Sequence, residues 1–97
     1  MPNSPSAKVT YSVFLHPKAN KFLEKSNKEL ADRIKSSLKQ LTDNPQRKGE
    51  RLIPSHFYKL RVGDYRIIYE IWEEEDKVVV LFIDHRSKVY DDFNKHI

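Results

Sequence analysis

Residues 57–71, FYKLRVGDYRIIYEI, constrain the fold of this chain more than any other stretch. Val62 and Tyr65 flank Gly63-Asp64, and a glycine at the first central position is what a two-residue type II′ hairpin turn requires. Closing the chain there pairs Val62 with Tyr65, Arg61 with Arg66, Leu60 with Ile67, Lys59 with Ile68 and Tyr58 with Tyr69. Because side chains alternate between the faces of a strand, Tyr58, Leu60, Val62, Tyr65, Ile67, Tyr69 and Ile71 form one apolar face. The opposite face receives Lys59, Arg61 and Arg66. Two arginines directly across a ladder cost a few tenths to about 1 kcal/mol, so a sheet shaped by stability alone would avoid them. Either the two side chains splay into water, or one of them pairs with Glu70, or the face exists to hold an anion.

An apolar sheet face needs a covering layer, and the preceding residues supply one. Residues 9–15, VTYSVFL, are β-branched and aromatic and predict a first strand. Pro17 suits the first turn of a helix, where its missing N–H is no loss, and that helix runs over Pro17–Lys25 with Phe22 and Leu23 as apolar contacts. Ser26-Asn27-Lys28-Glu29 has the form of a capping box and predicts a second helix. Leu30, Ile34, Leu38 and Leu41 recur along it at helical spacing, while Lys28, Asp32, Lys35 and Lys39 point elsewhere. Asn44-Pro45 stops it. GERLIPSH reads as a polar connection to three strands, Phe57–Val62, Tyr65–Trp72 and residues 77–84, and residues 87–95 as a short terminal helix. Strands following a helical pair predict an α+β domain, the helical hairpin packed on one face of a mostly antiparallel sheet that ends in a three-stranded meander. Residues 1–97 form a single domain on this reading.

The third strand depends on its register. If the acidic tip closes with a two- or four-residue loop, Trp72 pairs with Lys77, Ile83 falls opposite Arg66, and His85 projects from the same face as Arg66. Ile68, Val79 and Leu81 then leave an apolar strip beside the cations, open to a partner segment or to the terminal helix.

Charge is divided unevenly. Of fourteen acids, five fall in EIWEEED, residues 70–76, leaving nine against all eighteen lysines and arginines elsewhere. A basic body with an acidic tip favours a polyanionic partner through steering. The chain has no cysteine, which excludes disulfides and thiolate metal sites. His16, His56 and His96 stand at no ligand spacing, so no metal or other cofactor is expected. The longest apolar run, residues 78–83, is far shorter than the ~20 residues of a membrane span, and MPNSPSAK lacks the apolar core of a secretory signal, so a cytoplasmic location is expected. Trp72 and Phe93 are expected in packing or partner contacts.

YKLRVGDYRIIYEI followed by VVVLFIDHRSKVY resembles the RelE/ParE toxin superfamily of type II toxin–antitoxin systems, and its RelE-type messenger-RNA interferases more than its ParE-type gyrase poisons. The order of helix pair and hairpin also matches, so the resemblance covers nearly the whole chain. It implies a RelE-like fold and a toxin that enters the ribosomal A site, cleaves messenger RNA there and inhibits translation. It also implies a cognate antitoxin in a hetero-oligomer, and no membrane. In such enzymes the ribose 2′-hydroxyl attacks the adjacent phosphate without a metal, which calls for a base, an acid and cations around the phosphorane. Arg66 matches the arginine of the family's Y-R motif and Arg86 is a second clamp, guanidinium being suited to paired hydrogen bonds with phosphate. Lys59 matches a lysine used for acid–base or charge-stabilising work, and His85 is the alternative acid–base group, histidine being the side chain that commonly titrates near neutrality. Tyr90 matches a tyrosine near the carboxyl terminus that could stack on a nucleotide. Arg61 and Lys88 complete the expected RNA contacts. Phe57 and Asp84 depart from the pattern, standing where some RelE toxins carry bases.

Overall fold

The computed structural model describes residues 10–52 and 56–96. Val9 lies outside the described residues, as do the side chains of Phe93 and His96. The chain runs β1 (Ser12–Leu15), α1 (Pro17–Lys25), α2 (Lys28–Gln40), a short α3 (Pro45–Lys48), β2 (Glu50–Leu52), β3 (Phe57–Val62), β4 (Tyr65–Trp72), β5 (Lys77–His85) and α4 (Val89–His96). The strands form one sheet in the order β1-β5-β4-β3-β2.

The hairpin has the predicted register throughout, from Val62 opposite Tyr65 to Tyr58 opposite Tyr69. Gly63 takes a φ of 59° while Asp64 stays out of the positive-φ region, as a type II′ turn requires. The apolar face carries the core: Val62, Ile67 and Tyr69 are buried with Ala19 and Leu23 of α1 and Ala31, Ile34 and Leu38 of α2. The Tyr58 and Tyr69 rings stack at 5.3 Å across the ladder. Tyr69 is fully buried, and its hydroxyl donates to the Pro45 carbonyl at 2.7 Å, tying α3 to the centre of the sheet. Burial pushes this phenol above its ordinary pKa. Gly49 lies on the same hydroxyl: a Cβ there would stand 2.7 Å from it and 2.5 Å from the Lys59 carbonyl oxygen, so only glycine fits.

Three features differ from the expectations. Ser26 does not cap α2; Asn27 does, accepting from the Leu30 N–H, while the Ser26 hydroxyl donates back to Phe22 and closes α1. Both residues are good caps, and the one whose hydroxyl was engaged by the preceding helix lost the competition. The connection after α3 contains a strand, β2, antiparallel to β3 and short and charged as an exposed edge strand tends to be. β1, whose partner the sequence left open, runs parallel to β5 within the otherwise antiparallel sheet, with Ser12 opposite Lys77.

The third difference is in β5. The acidic tip is a four-residue loop, a 3-10 turn over Glu73–Glu75 closed by Asp76 in the left-handed region, and Trp72 pairs with Lys77 as predicted. Beyond Tyr69, however, the register shifts by one residue: Ile68 pairs with Phe82, Arg66 with Asp84 and Tyr65 with His85. Leu81 is the extra residue of a β-bulge, so Leu81 and Phe82 both join Ile68 on the face away from α1 and α2. Val89 of α4 packs there, fully buried, so the terminal helix covers the apolar strip.

Candidate functional site

The hairpin turn and the end of β5 meet at one end of the sheet and gather cations there. Arg61 and Arg66 are directly opposite on the face that α4 shares. They relieve their repulsion in different ways, neither through Glu70. Arg61 Nη2 lies 3.4 Å from Glu50 Oε1 of β2, an exposed pair, while Arg66 folds back so that Nη1 donates to the Gly63 and Tyr65 carbonyls at 2.9 Å each. That pairing anchors the guanidinium and, among the described residues, leaves Nε and Nη2 without a hydrogen-bond partner. Glu70 is engaged instead by the Trp72 indole N–H at 2.8 Å and by His56 at 3.5 Å.

Lys59 projects from the same face two residue pairs further from the turn, opposite Ile68. Its ammonium stands 5.9 Å from the centroid of the Tyr90 ring, within cation–π range, so the docking of α4 on the bulged strands sets a half-exposed aromatic ring beside the basic face. Arg86 follows β5, its backbone N–H donating to the Asp64 carbonyl at 2.8 Å and its Nε lying 3.9 Å from Asp64 Oδ1. The pair is exposed and weak, so the guanidinium is held near the turn without being consumed by it. Lys88 is exposed, its backbone N–H donating to His85 O.

His85 does not share the face of Arg66. The bulge turns it to the α1 side, where its ring meets Tyr65 edge-on at 5.5 Å and Tyr65 in turn meets Phe22 at 5.8 Å. The Ser87 N–H donates to Nδ1 at 3.2 Å, with the Ser87 hydroxyl 2.9 Å from the same nitrogen. A neutral ring accepting this N–H carries its proton on Nε2. The residue set opposite Arg66 is Asp84, whose Oδ1 accepts the His85 backbone N–H at 2.7 Å. A carboxylate thus sits among the cations where the expected register had placed Ile83.

One cation at this end has no mark in the sequence. Arg33, on an exposed turn of α2, reaches the hairpin so closely that a Cβ on Gly63 would lie 2.9 Å from its Nη2. Three elements therefore bring Arg33, Arg66 and Arg86 to the Gly63-Asp64 turn, with Arg61 and Lys59 behind them. Such a set can clamp a phosphate and offset charge that grows on it, while an imidazole and a lysine at its border can exchange protons. Among the described residues no group of three or more His, Cys, Asp or Glu side chains is placed to hold a metal ion, and no helix is long and apolar enough to cross a membrane.

A family model described as the ParE toxin of type II toxin–antitoxin systems matches residues 13–90. No curated protein matches the chain in sequence. Among solved structures, the chain is similar to one in the RelBE2 toxin–antitoxin complex of Mycobacterium tuberculosis, at 29% identity over 81% of this chain and 94% of that one, with a TM-score of 0.74. The archaeal RelE–RelB complex of Pyrococcus horikoshii matches at 25% identity over 84% of this chain and 100% of the other, TM-score 0.70. The isolated RelE toxin of Escherichia coli shares the fold, at 23% identity over 89% and 97% of the two chains and a TM-score of 0.71.

Proposed function

The chain belongs to the ParE toxin family of type II toxin–antitoxin systems, and from that premise we propose that it is a ribosome-dependent endoribonuclease that cuts messenger RNA in the ribosomal A site. It is a toxin of the RelE/ParE superfamily; the cleavage chemistry is the further step. The observation that carries it is the convergence of Arg66, Arg86 and Arg33 on one hairpin turn, with Lys59 over Tyr90 beside them.

In this reading the 2′-oxygen of the A-site ribose forms a bond to the neighbouring phosphorus as its proton leaves. The P–O5′ bond then breaks, and a proton is delivered to the departing oxygen. The product is a 2′,3′-cyclic phosphate and a free 5′-hydroxyl, so atoms and charge balance without a metal. Arg66 and Arg86 hold the non-bridging oxygens and offset the charge gained by the phosphorane. His85 exchanges a proton at Nε2, and Lys59 is the stabilising or second acid–base group. Tyr90 stacks on or orients a base, and Arg61 and Lys88 take flanking phosphates. A cognate antitoxin binds this single-domain toxin in a hetero-oligomer and keeps it from cytoplasmic ribosomes.

A second reading has its own support, since the matching family model is that of the ParE toxins. A ParE-like toxin would inhibit DNA gyrase without cutting RNA and would have no chemical use for Arg66, His85, Arg86 and Tyr90. Inducing the toxin and mapping message ends on translating ribosomes separates the two. Cuts within A-site codons support the endoribonuclease, and intact messages with stalled replication support gyrase inhibition. Replacing Arg66 or Arg86 by Ala should each lower cleavage by about 10²–10³-fold, the usual effect of removing one donor to a developing oxyanion. Cleavage retained by both variants would refute the assignment.

A further inference from the structure

Lys18, Lys21 and Lys25 occur at helical spacing along α1 and, together with Phe22, form one wall of a groove of about 300 Å³ whose other wall is Phe82, Ile83 and Asp84 of β5. The groove exists because β1 pairs with β5 only as far as Val80. Beyond that point the edge of β5 has no strand beside it and faces α1. None of the three ammonium groups has an ion-pair partner among the described residues. The row covers about 10 Å along the helix axis, and the β5 wall ends at Asp84, two residues before Arg86 of the candidate site.

We propose that this groove holds the sugar–phosphate backbone of the RNA strand that runs into the candidate site, one lysine to a phosphate. The polyanion's identity as RNA rests on the endoribonuclease reading. The walls favour a nucleic acid over an acidic peptide. A peptide docking segment needs apolar anchor pockets, but Phe82 is only 3% exposed, with the Lys18 ammonium 5.6 Å from its ring centroid. Phe22 is engaged with Tyr65. What remains accessible is a line of compact point charges, which bind phosphates without regard to sequence. Asp84 is the one acid on the wall, and its Oδ1 is occupied by the His85 N–H.

The test measures binding rather than cleavage. The purified chain is titrated with a fluorescent single-stranded 2′-O-methyl oligoribonucleotide, which lacks the attacking hydroxyl, at a series of salt concentrations. The K18Q/K21Q/K25Q variant is compared with K28Q/K35Q/K39Q, which removes the same charge from exposed sites on α2. For a single strand the salt slope falls by about 0.7 for each phosphate that is no longer neutralised, so the groove variant should lose about 2 from the slope of log K against log salt and the α2 variant close to none. Thermal melts confirm that both variants fold. Equal loss in the two variants, or an unchanged slope in the groove variant, would overturn the proposal. So would displacement of the oligonucleotide by a polyglutamate peptide of equal charge at equal concentration. If wild-type chain cuts no message while the groove variant still loses its slope, the endoribonuclease reading fails and the groove stands. If messages are cut normally and the slope does not move, the groove fails and the endoribonuclease reading stands.

Discussion

Replacing Tyr69 by Phe should expose how the sheet is tied to the segment before β2. The ring is fully buried and stacked on Tyr58, and phenylalanine retains all of that packing. Only the 2.7 Å hydrogen bond to the Pro45 carbonyl is lost. A buried hydrogen bond contributes about 0.5–1.5 kcal/mol net, and an acceptor left without a donor raises the cost toward 1–3 kcal/mol. We therefore expect about 1–2 kcal/mol in urea unfolding at neutral pH with the slope m unchanged. In a domain of this size that corresponds to a fall in Tm of roughly 5–15 °C.

Two further signatures belong to the hydroxyl alone. Burial raises the folded-state pKa of Tyr69 above its unfolded value. Its contribution is therefore complete below about pH 10, the ordinary tyrosine value, and is lost as pH rises above it, at about 1.4 kcal/mol per pH unit. The Phe variant should lack that alkaline slope. The second signature is coupling to Gly49, where a Cβ meets both the Tyr69 hydroxyl and the Lys59 carbonyl. Gly49→Ala should cost about 1–3 kcal/mol through overpacking and less in the Phe variant, because half of the clash has gone; the coupling should be about 0.5 kcal/mol or more. Equal cost of Gly49→Ala in both backgrounds, together with an unaltered alkaline slope, would refute this account of the buried phenol.

Ile68→Ala empties a fully buried site under α4; it should cost about 2–5 kcal/mol in chemical unfolding. Deleting Leu81 removes the bulge residue and lets Phe82 follow Val80 directly, so cross-strand NOEs should still pair Arg66 with Asp84 and Tyr65 with His85 in a now regular ladder, at a measurable loss of stability from the missing buried leucine. Asp84→Asn takes a negative charge from opposite Arg66 and should tighten binding of the 2′-O-methyl oligonucleotide severalfold at low salt, with the gain fading as salt rises. An unchanged affinity would mean that this carboxylate does not face the bound phosphates.

Where local chemistry dictated structure, the chain was readable. Gly63-Asp64 permits one tight turn, and the turn then dictates every hairpin pair down to Tyr58 and Tyr69. Ile34, Leu38 and Leu41 could face only one way on a helix, and they are buried. The misplaced features lacked such compulsion. Ser26 and Asn27 cap comparably well, so the choice between them depended on a bond to Phe22 made in the preceding helix. The bulge at Leu81 falls in VVVLFI, which contains no glycine or polar residue to mark it, and that single residue moved His85 away from the face of Arg66. Arg33 was invisible for a related reason, since one exposed arginine on α2 resembles its charged neighbours until tertiary packing lays it on Gly63. Arg61, Arg66 and Lys59 were legible because alternation in a strand is strict, and Tyr90 met Lys59 only through the docking of α4.

The acidic loop at Glu73–Glu75 and the arginine-rich turn at Gly63 occupy opposite ends of β4, a strand of eight residues. At about 3.3 Å per residue they are roughly 25 Å apart, some three times the distance over which physiological salt screens one charge from another, about 8 Å. The two ends therefore do not cancel, and the molecule carries a lasting dipole along the strand. Near a ribosome or any other dense polyanion this produces a torque: the glutamates are pushed outward and the turn is drawn in before contact. On the proposed endoribonuclease reading such a torque would turn the basic end toward the ribosome, so neutralising the tip should slow productive encounter while leaving the lifetime of the bound state almost unchanged.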